Sequence, residues 1–107
     1  MNILLVCGSG ASSSFMAAKM RYAAKDMGLD VSITARAESE IPNLYQDADV
    51  IMVGPHLSGY YEDLKSRYGN DCIVMLMKKE YYGNLDGEKA IAHMLEEVKL
   101  SKMTAHS

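Results

Sequence analysis

Short runs of apolar residues recur along the chain and predict strands. Three of them, Asn2–Val6, Asp49–Gly54 and Cys72–Met77, are almost continuously apolar. Such runs are typical of strands that are buried on both faces of a parallel sheet. A fourth segment, Asp30–Ala35, alternates apolar and polar residues. That alternation predicts an edge strand with one buried face.

Amphipathic segments lie between these strands, and apolar spacings of three and four residues predict helices. The first helix is expected to end before Gly28 and the second before Gly69, because Gly often follows a helix C-terminus. A short helix is also expected within Ser39–Tyr45. The predicted apolar stripes are Met16, Met20, Ala23, Ala24 and Met27, then Leu57, Tyr60, Tyr61, Leu64 and Tyr68, then Ala90, Ile91, Met94, Leu95 and Val98.

Strands that alternate with helices predict an α/β fold with right-handed crossovers. We expect a three-layer sandwich in which a four-stranded parallel sheet of order 2-1-3-4 carries helices on both faces, as in flavodoxin-like folds. Residues 1–100 form one domain, and residues 101–107 are expected to be a frayed tail. Ligands of such sheets bind beyond the carboxyl ends of the strands, where the strand order reverses. The strand at that reversal ends next to Cys7.

Charge and composition exclude several function classes. The net charge is -3 and the basic residues are dispersed along the 107-residue chain, so a nucleic-acid partner is not expected. No apolar stretch approaches the ~18 residues of a membrane span and no signal peptide is evident, which predicts a cytoplasmic protein without membrane insertion. The cysteines lack CxxC spacing and the histidines lack ligand spacing, so we expect no metal site and no cofactor.

Cys7 is followed by a run of small residues that leads directly into the first predicted helix. A strand, a small-residue loop and a helix N-terminus together form a typical phosphate-binding arrangement, because convergent N–H groups and the helix dipole attract an anion. The glycines let the anion approach the backbone closely. The predicted phosphate-binding residues are Gly8, Ser9, Gly10, Ala11, Ser12, Ser13 and Ser14.

Cys7 gives this loop a nucleophile. A thiol has an ordinary pKa of about 8.5, and a helix N-terminus with convergent N–H groups lowers it. A thiolate in a phosphate-binding loop can accept a phosphoryl group and keep it. The alternative is that Cys7 is a small buried residue at the end of a strand. For Cys72, which lies inside an apolar run, we expect only that structural role.

The loop does not match the common nucleotide-binding motifs, because neither GxxxxGK[ST] nor GxGxxG is complete. It also departs from the low-molecular-weight tyrosine phosphatases, which place an Arg six positions after the Cys. Ser13 occupies that position here, and Arg21 is the first arginine of the chain. No Asp-Pro pair offers an acid for the leaving group. A phosphatase-like hydrolase therefore lacks the residue that clamps the phosphoryl group.

Three segments together resemble one protein family. MNILLVCGSGASSS, DADVIMVGP (Asp47–Pro55) and YGNLDGEKAI (Tyr82–Ile91) stand in an order and spacing similar to those of the enzyme IIB component of the bacterial sugar phosphotransferase system, of the lactose/cellobiose type. The resemblance covers about residues 1 to 100. It implies a fold with a phosphate loop like that of the low-molecular-weight phosphatases.

The resemblance also implies a mechanism and partners. Cys7 would take a phosphoryl group from a phosphohistidine of the IIA protein and pass it to a sugar held by the membrane permease IIC. The sugar would be a β-linked disaccharide such as cellobiose, lactose or chitobiose. The protein would be a monomer that docks transiently at the inner face of the membrane through IIC.

Two further side chains are expected near the loop. His56 follows the third predicted strand and Tyr82 follows the fourth, so both should lie at the same sheet edge as Cys7. Both could form the rim of the site. The alternative is that His56 is an exposed loop histidine and that Tyr82 packs against the sheet. Two other functions stay open for the chain: a tyrosine-phosphatase-like hydrolase, and a non-catalytic flavodoxin-like signalling module with a structural Cys7.

Overall fold

The computed structural model describes residues 1–7 and 11–105, with the side chains of residues 1–7 and 14–101. Strands and helices alternate along the chain, as the apolar pattern predicts. The elements are β1 (Asn2–Cys7), α1 (Ala11–Asp26), β2 (Ser32–Ala37), α2 (Ile41–Leu44), β3 (Val50–Val53), α3 (Ser58–Tyr68), β4 (Ile73–Leu76), α4 (Lys79–Tyr82) and α5 (Gly87–Ala105). Single 3-10 turns cover Glu38–Glu40, Tyr45–Asp47 and Pro55–Leu57.

The four strands form one parallel sheet in the order β2-β1-β3-β4, which confirms the predicted topology. Alternate residues of β1 enter separate hydrophobic clusters on the two faces of the sheet. Ile3 and Leu5 pack in the cluster that includes residues of α1 and α5. Leu4 and Val6 pack in the cluster that includes residues of α2 and α3. The result is the expected sandwich, with the sheet as its middle layer.

The ends of some elements differ from the sequence prediction. Met27 lies beyond the end of α1 and is 48% exposed, because Gly28 turns the chain with a φ of 72°. Tyr60 is 54% exposed at the margin of the buried face of α3, whereas Leu64 and Tyr68 are buried. The prediction that Met27 and Tyr60 belong to the buried stripes is therefore wrong.

The last helix is longer than its apolar stripe indicates. It starts at Gly87, where Asp86 caps it by accepting a hydrogen bond from the Lys89 amide at 3.2 Å. It continues to Ala105, so residues 101–105 are helical in the segment where a frayed tail was predicted. His106 and Ser107 lie outside the described residues. No helix in the described part of the chain is long and apolar enough to cross a membrane.

Candidate functional site

Cys7 is the last residue of the central strand β1, at the point where the strand order reverses. It pairs with Ala37 of β2, and β3 lies on the other side of β1. Because side chains alternate along a strand, Cys7 faces the same side of the sheet as Ile3 and Leu5. Its side chain is fully buried, at 0% exposure. The thiol therefore lies where open α/β sheets bind their ligands.

The predicted phosphate loop is described in part. Gly8, Ser9 and Gly10 lie outside the described residues. The first turn of α1 begins with the backbone of Ala11, Ser12 and Ser13. The next residue, Ser14, has an exposed side chain. The first turn contains no acidic residue. Amides in a first helical turn have no intrahelical acceptor, so an anion is electrostatically favoured at this end of α1.

The turn after β3 lies against the end of β1. The Gly54 amide donates a hydrogen bond to the Val6 carbonyl at 2.9 Å. The Leu57 amide donates to the Gly54 carbonyl, also at 2.9 Å, which closes a tight turn around His56. His56 is exposed. The structure thus places His56 at the same sheet edge as Cys7.

Tyr82 reaches this edge from α4. The Met77 amide donates to the Val53 carbonyl at 2.8 Å and keeps the end of β4 beside the end of β3. The ring centroids of His56 and Tyr82 are 6.1 Å apart. An open cavity of about 410 Å³ lies between the turn and α4, lined by Pro55, His56, Ser58, Lys79, Tyr82 and Gly83. The two rim candidates of the sequence therefore lie together.

Ser58 and Lys79 also line this cavity, and neither is among the residues that the sequence predicted for the site. Their position depends on the 3-10 turn at Pro55–Leu57 and on α4, which were not predicted. Elements of three or four residues are too short for an apolar period to reveal them. The signal that was present is Pro55, which favours the first turn of a helix.

Arg21 is not available as a phosphate clamp. Its Nε–H donates a hydrogen bond to the Ile33 carbonyl at 2.8 Å, which fastens α1 to β2. This contact agrees with the sequence interpretation that the clamping Arg of a phosphatase is missing.

Cys72 is buried at the start of β4, and its thiol donates a weak hydrogen bond to the Tyr68 carbonyl at 3.5 Å. Burial first, then the negative charges of Asp71 and Asp49, raises the pKa of the Cys72 thiol to about 11. A protonated thiol is a poor nucleophile. These surroundings agree with a structural role for Cys72.

Known proteins share both the sequence pattern and the fold. Residues 2–93 match the family described as "PTS system, Lactose/Cellobiose specific IIB subunit". The chain is 31% identical over 94 residues to the oligo-beta-mannoside-specific EIIB component of Bacillus subtilis, with 87% of this chain and 91% of that protein covered.

Two solved structures share the fold. The lactose-specific IIB domain of Streptococcus pneumoniae superposes with a TM-score of 0.81 at 20% identity, over 91% of this chain and 96% of that one. A low-molecular-weight protein tyrosine phosphatase from Bacillus subtilis gives 0.58 at 16% identity, over 95% and 99%. The family match over most of the chain decides between these two neighbours. The chain belongs to the lactose/cellobiose-specific IIB subunits of the PTS, the phosphocarrier components of a sugar-transporting phosphotransferase system.

Proposed function

We propose that Cys7 accepts a phosphoryl group from a phosphohistidine of a IIA protein and passes it to a β-linked disaccharide bound by a IIC permease. The observation that carries the proposal is the position of Cys7. It ends β1 at the reversal of strand order, and α1 begins four residues later. Residues Gly8 to Ser14 would hold the phosphoryl oxygens with backbone amides and hydroxyls.

The transfer needs two displacements at phosphorus. In the first, the Cys7 thiolate attacks, an S–P bond forms, and the N–P bond of the phosphohistidine breaks with its electron pair returning to the imidazole nitrogen. In the second, a sugar hydroxyl attacks, the S–P bond breaks, and its electron pair returns to sulfur. The hydroxyl proton passes to solvent or to a base of the partner. The partial positive charge at the start of α1 favours the thiolate over the thiol.

The burial of Cys7 sets a condition on both steps. A donor phosphorus atom has to reach a sulfur that is fully covered in the isolated chain. We therefore propose that the sulfur becomes accessible to the phosphoryl group when IIA, and later IIC, docks. We further propose that the protein acts as a monomer that docks transiently with IIC at the inner face of the membrane.

We propose a β-linked disaccharide as the sugar, with cellobiose, lactose and chitobiose as the candidates. The names of the relatives differ: one is specific for oligo-β-mannosides and another for lactose. Cellobiose, lactose and chitobiose are therefore tested side by side as acceptors.

Intact-protein mass spectrometry tests the carrier step. The chain is incubated with phosphoenolpyruvate, the general phosphotransfer proteins and a IIA protein that is shown to be charged. We expect one added phosphoryl group on the wild type and on Cys72→Ala, which is the matched control. Cys7→Ser should gain none. Permease-containing vesicles and the correct sugar should then discharge the phosphoprotein.

The same variants test the two alternatives. Turnover of a generic aryl phosphate that disappears in Cys7→Ser would support a hydrolase. Sugar uptake sustained by Cys7→Ser would support a non-catalytic module. Either outcome would contradict the carrier mechanism.

A further inference from the structure

The turn after β3 brings a histidine to the side of the sheet that Cys7 faces. Leu5 pairs with Met52 and Val6 pairs with Val53, so one further step places Gly54 beside Cys7. Val50 and Met52 share a hydrophobic cluster with Ile3 and Leu5. Because side chains alternate, position 54 faces the same side as the Cys7 side chain.

The imidazole of His56 occupies the space that a side chain at position 54 would fill. A Cβ atom built on Gly54 would lie 2.8 Å from Cε1 and 3.2 Å from Nδ1 of His56, and 3.3 Å from the Val6 carbonyl oxygen. The ring therefore folds back over Gly54 toward the end of β1. Since neighbouring strands lie about 4.8 Å apart, it stands next to the space into which Cys7 points.

The ring of Tyr82 neighbours the imidazole, with ring centroids 6.1 Å apart and an interplanar angle of 53°. His56 thus has two fixed neighbours, the backbone of Gly54 and the ring of Tyr82. The ring nevertheless remains exposed at the cavity between the turn and α4. It is positioned by its neighbours and is still accessible to a ligand.

A phosphoryl group on Cys7 would carry up to two negative charges, and Gly8 to Ser14 contribute no cationic side chain. Arg36 of β2 pairs with Val6 rather than with Cys7, so it belongs to the opposite face of the sheet. An imidazole donates a hydrogen bond in its neutral form and in its protonated form. His56 is therefore placed to add an imidazole N–H donor to the amide and hydroxyl donors of the loop.

We propose that the His56 imidazole contacts the phosphoryl group held on Cys7 and donates a hydrogen bond to one of its non-bridging oxygens. This inference rests on the proposed function, because it requires phosphorylation of Cys7. His56 forms no covalent bond in it. The contact stabilises charge on the phosphoryl oxygens while the S–P bond forms and while it breaks.

The first test observes the wild type by NMR. The ring C–H resonances of His56 and His93 are recorded before and after charging through IIA, and mass spectrometry reports the extent of charging. We expect the His56 signals to shift and those of His93 to stay in place, since His93 is held by Tyr81 on α4. If Cys7 is phosphorylated and the His56 signals do not move, the inference is overturned. If the protein is not phosphorylated at all, the proposed function itself is contradicted.

The second test measures charging rates in two variants. His56→Phe keeps a planar ring and removes the donor, whereas His56→Gln keeps an N–H donor. A hydrogen bond to a charged group contributes substantial stabilising free energy. We therefore expect phosphorylation of Cys7 to slow by roughly tenfold or more in His56→Phe. His56→Gln should recover part of this loss. Wild-type rates in His56→Phe, or equal rates in the two variants, would overturn the inference; thermal melting checks that both are folded.

Discussion

The two cysteines show how far the surroundings of a residue determine its chemistry. Both sulfurs are buried, but Cys7 ends the central strand before a helix N-terminus, and Cys72 lies between hydrophobic neighbours and two aspartates. The sequence already distinguishes them, because small residues follow one and an apolar run follows the other. What the sequence could not supply is the raised pKa of Cys72, since Asp49 comes near it only through the pairing of β3 with β4.

The raised pKa of Cys72 predicts an alkaline loss of stability. The thiol has a folded-state pKa of about 11, well above the ordinary value of a thiol. Its contribution to stability is therefore fully present below pH 9 and is lost as the pH rises to about 11, because the unfolded chain ionises first. We expect the free energy of unfolding of the wild type to fall relative to Cys72→Ala across this range. Urea unfolding at pH 8, 9, 10 and 11 measures it, and a constant difference would contradict the prediction.

A second buried polar group links α4 to α5. Tyr81 is 4% exposed, and its hydroxyl is hydrogen-bonded to Nδ1 of His93 at 2.6 Å. Nε2 of His93 lies 3.5 Å from a Glu97 carboxylate oxygen. Tyr81 thus anchors the short helix that also carries Tyr82 of the rim.

Tyr81→Phe should lower the free energy of unfolding by about 1 kcal/mol, because it removes a hydrogen bond and leaves a partly buried imidazole nitrogen without its partner. Tyr60→Phe is the matched control, since Tyr60 is exposed, and it should change stability little. Chemical denaturation at neutral pH compares the two. Equal effects of the two variants would show that the Tyr81 hydroxyl contributes nothing specific.

Among the elements, the close approach of α1 and α5 depends on one glycine. Gly87 is buried at the start of α5, and a Cβ atom there would collide with the carbonyl of Lys19 and lie 2.8 Å from the Met20 amide nitrogen. Both obstacles are backbone atoms, which cannot turn aside as a flexible side chain can. The helices that flank the Cys7 side of the sheet therefore need Gly at this position.

Gly87→Ala should destabilise the protein by about 1–3 kcal/mol, the usual cost of forcing an extra methyl into packed structure. Gly59→Ala is the control, because its Cβ atom would meet nothing within 4 Å and it lies in the helix α3. There, replacing Gly by Ala should leave stability unchanged or raise it by up to about 1 kcal/mol. Thermal melting of both variants measures these changes. A Gly87→Ala variant as stable as the wild type would contradict this account.

As a whole, the molecule shares its fold with a phosphatase, yet its family carries phosphate rather than hydrolysing it. The loop has Ser13 six positions after Cys7, and Arg21 is bound to β2. In the proposed mechanism, the absence of a clamping Arg lets the phosphocysteine survive until an acceptor docks. In that mechanism, the difference from the phosphatase lies in a few side chains at one sheet edge.

Ser13→Arg should shorten the lifetime of the phosphocysteine, because a guanidinium stabilises the charge of the transferring phosphoryl group as water attacks. Ser14→Arg places the same side chain one position away from the phosphatase spacing and serves as the control. Mass spectrometry of purified phosphoprotein over time measures both decay rates. Identical lifetimes of wild type and Ser13→Arg would count against this explanation of the missing Arg.

The sequence by itself determined the strands and the three long helices, because apolar periodicity reports directly which positions are buried. The alternation of strands with helices then predicted the sheet order through the rules for α/β topology. It also singled out Cys7 and the small residues after it, since their chemistry is local. Only the tertiary structure decided how His56, Tyr82 and Lys79 meet, because they lie on a turn and a four-residue helix that have no period of their own. The fold-back of His56 over Gly54 likewise depends on the register between β1 and β3, a relation between segments that no single stretch of sequence contains.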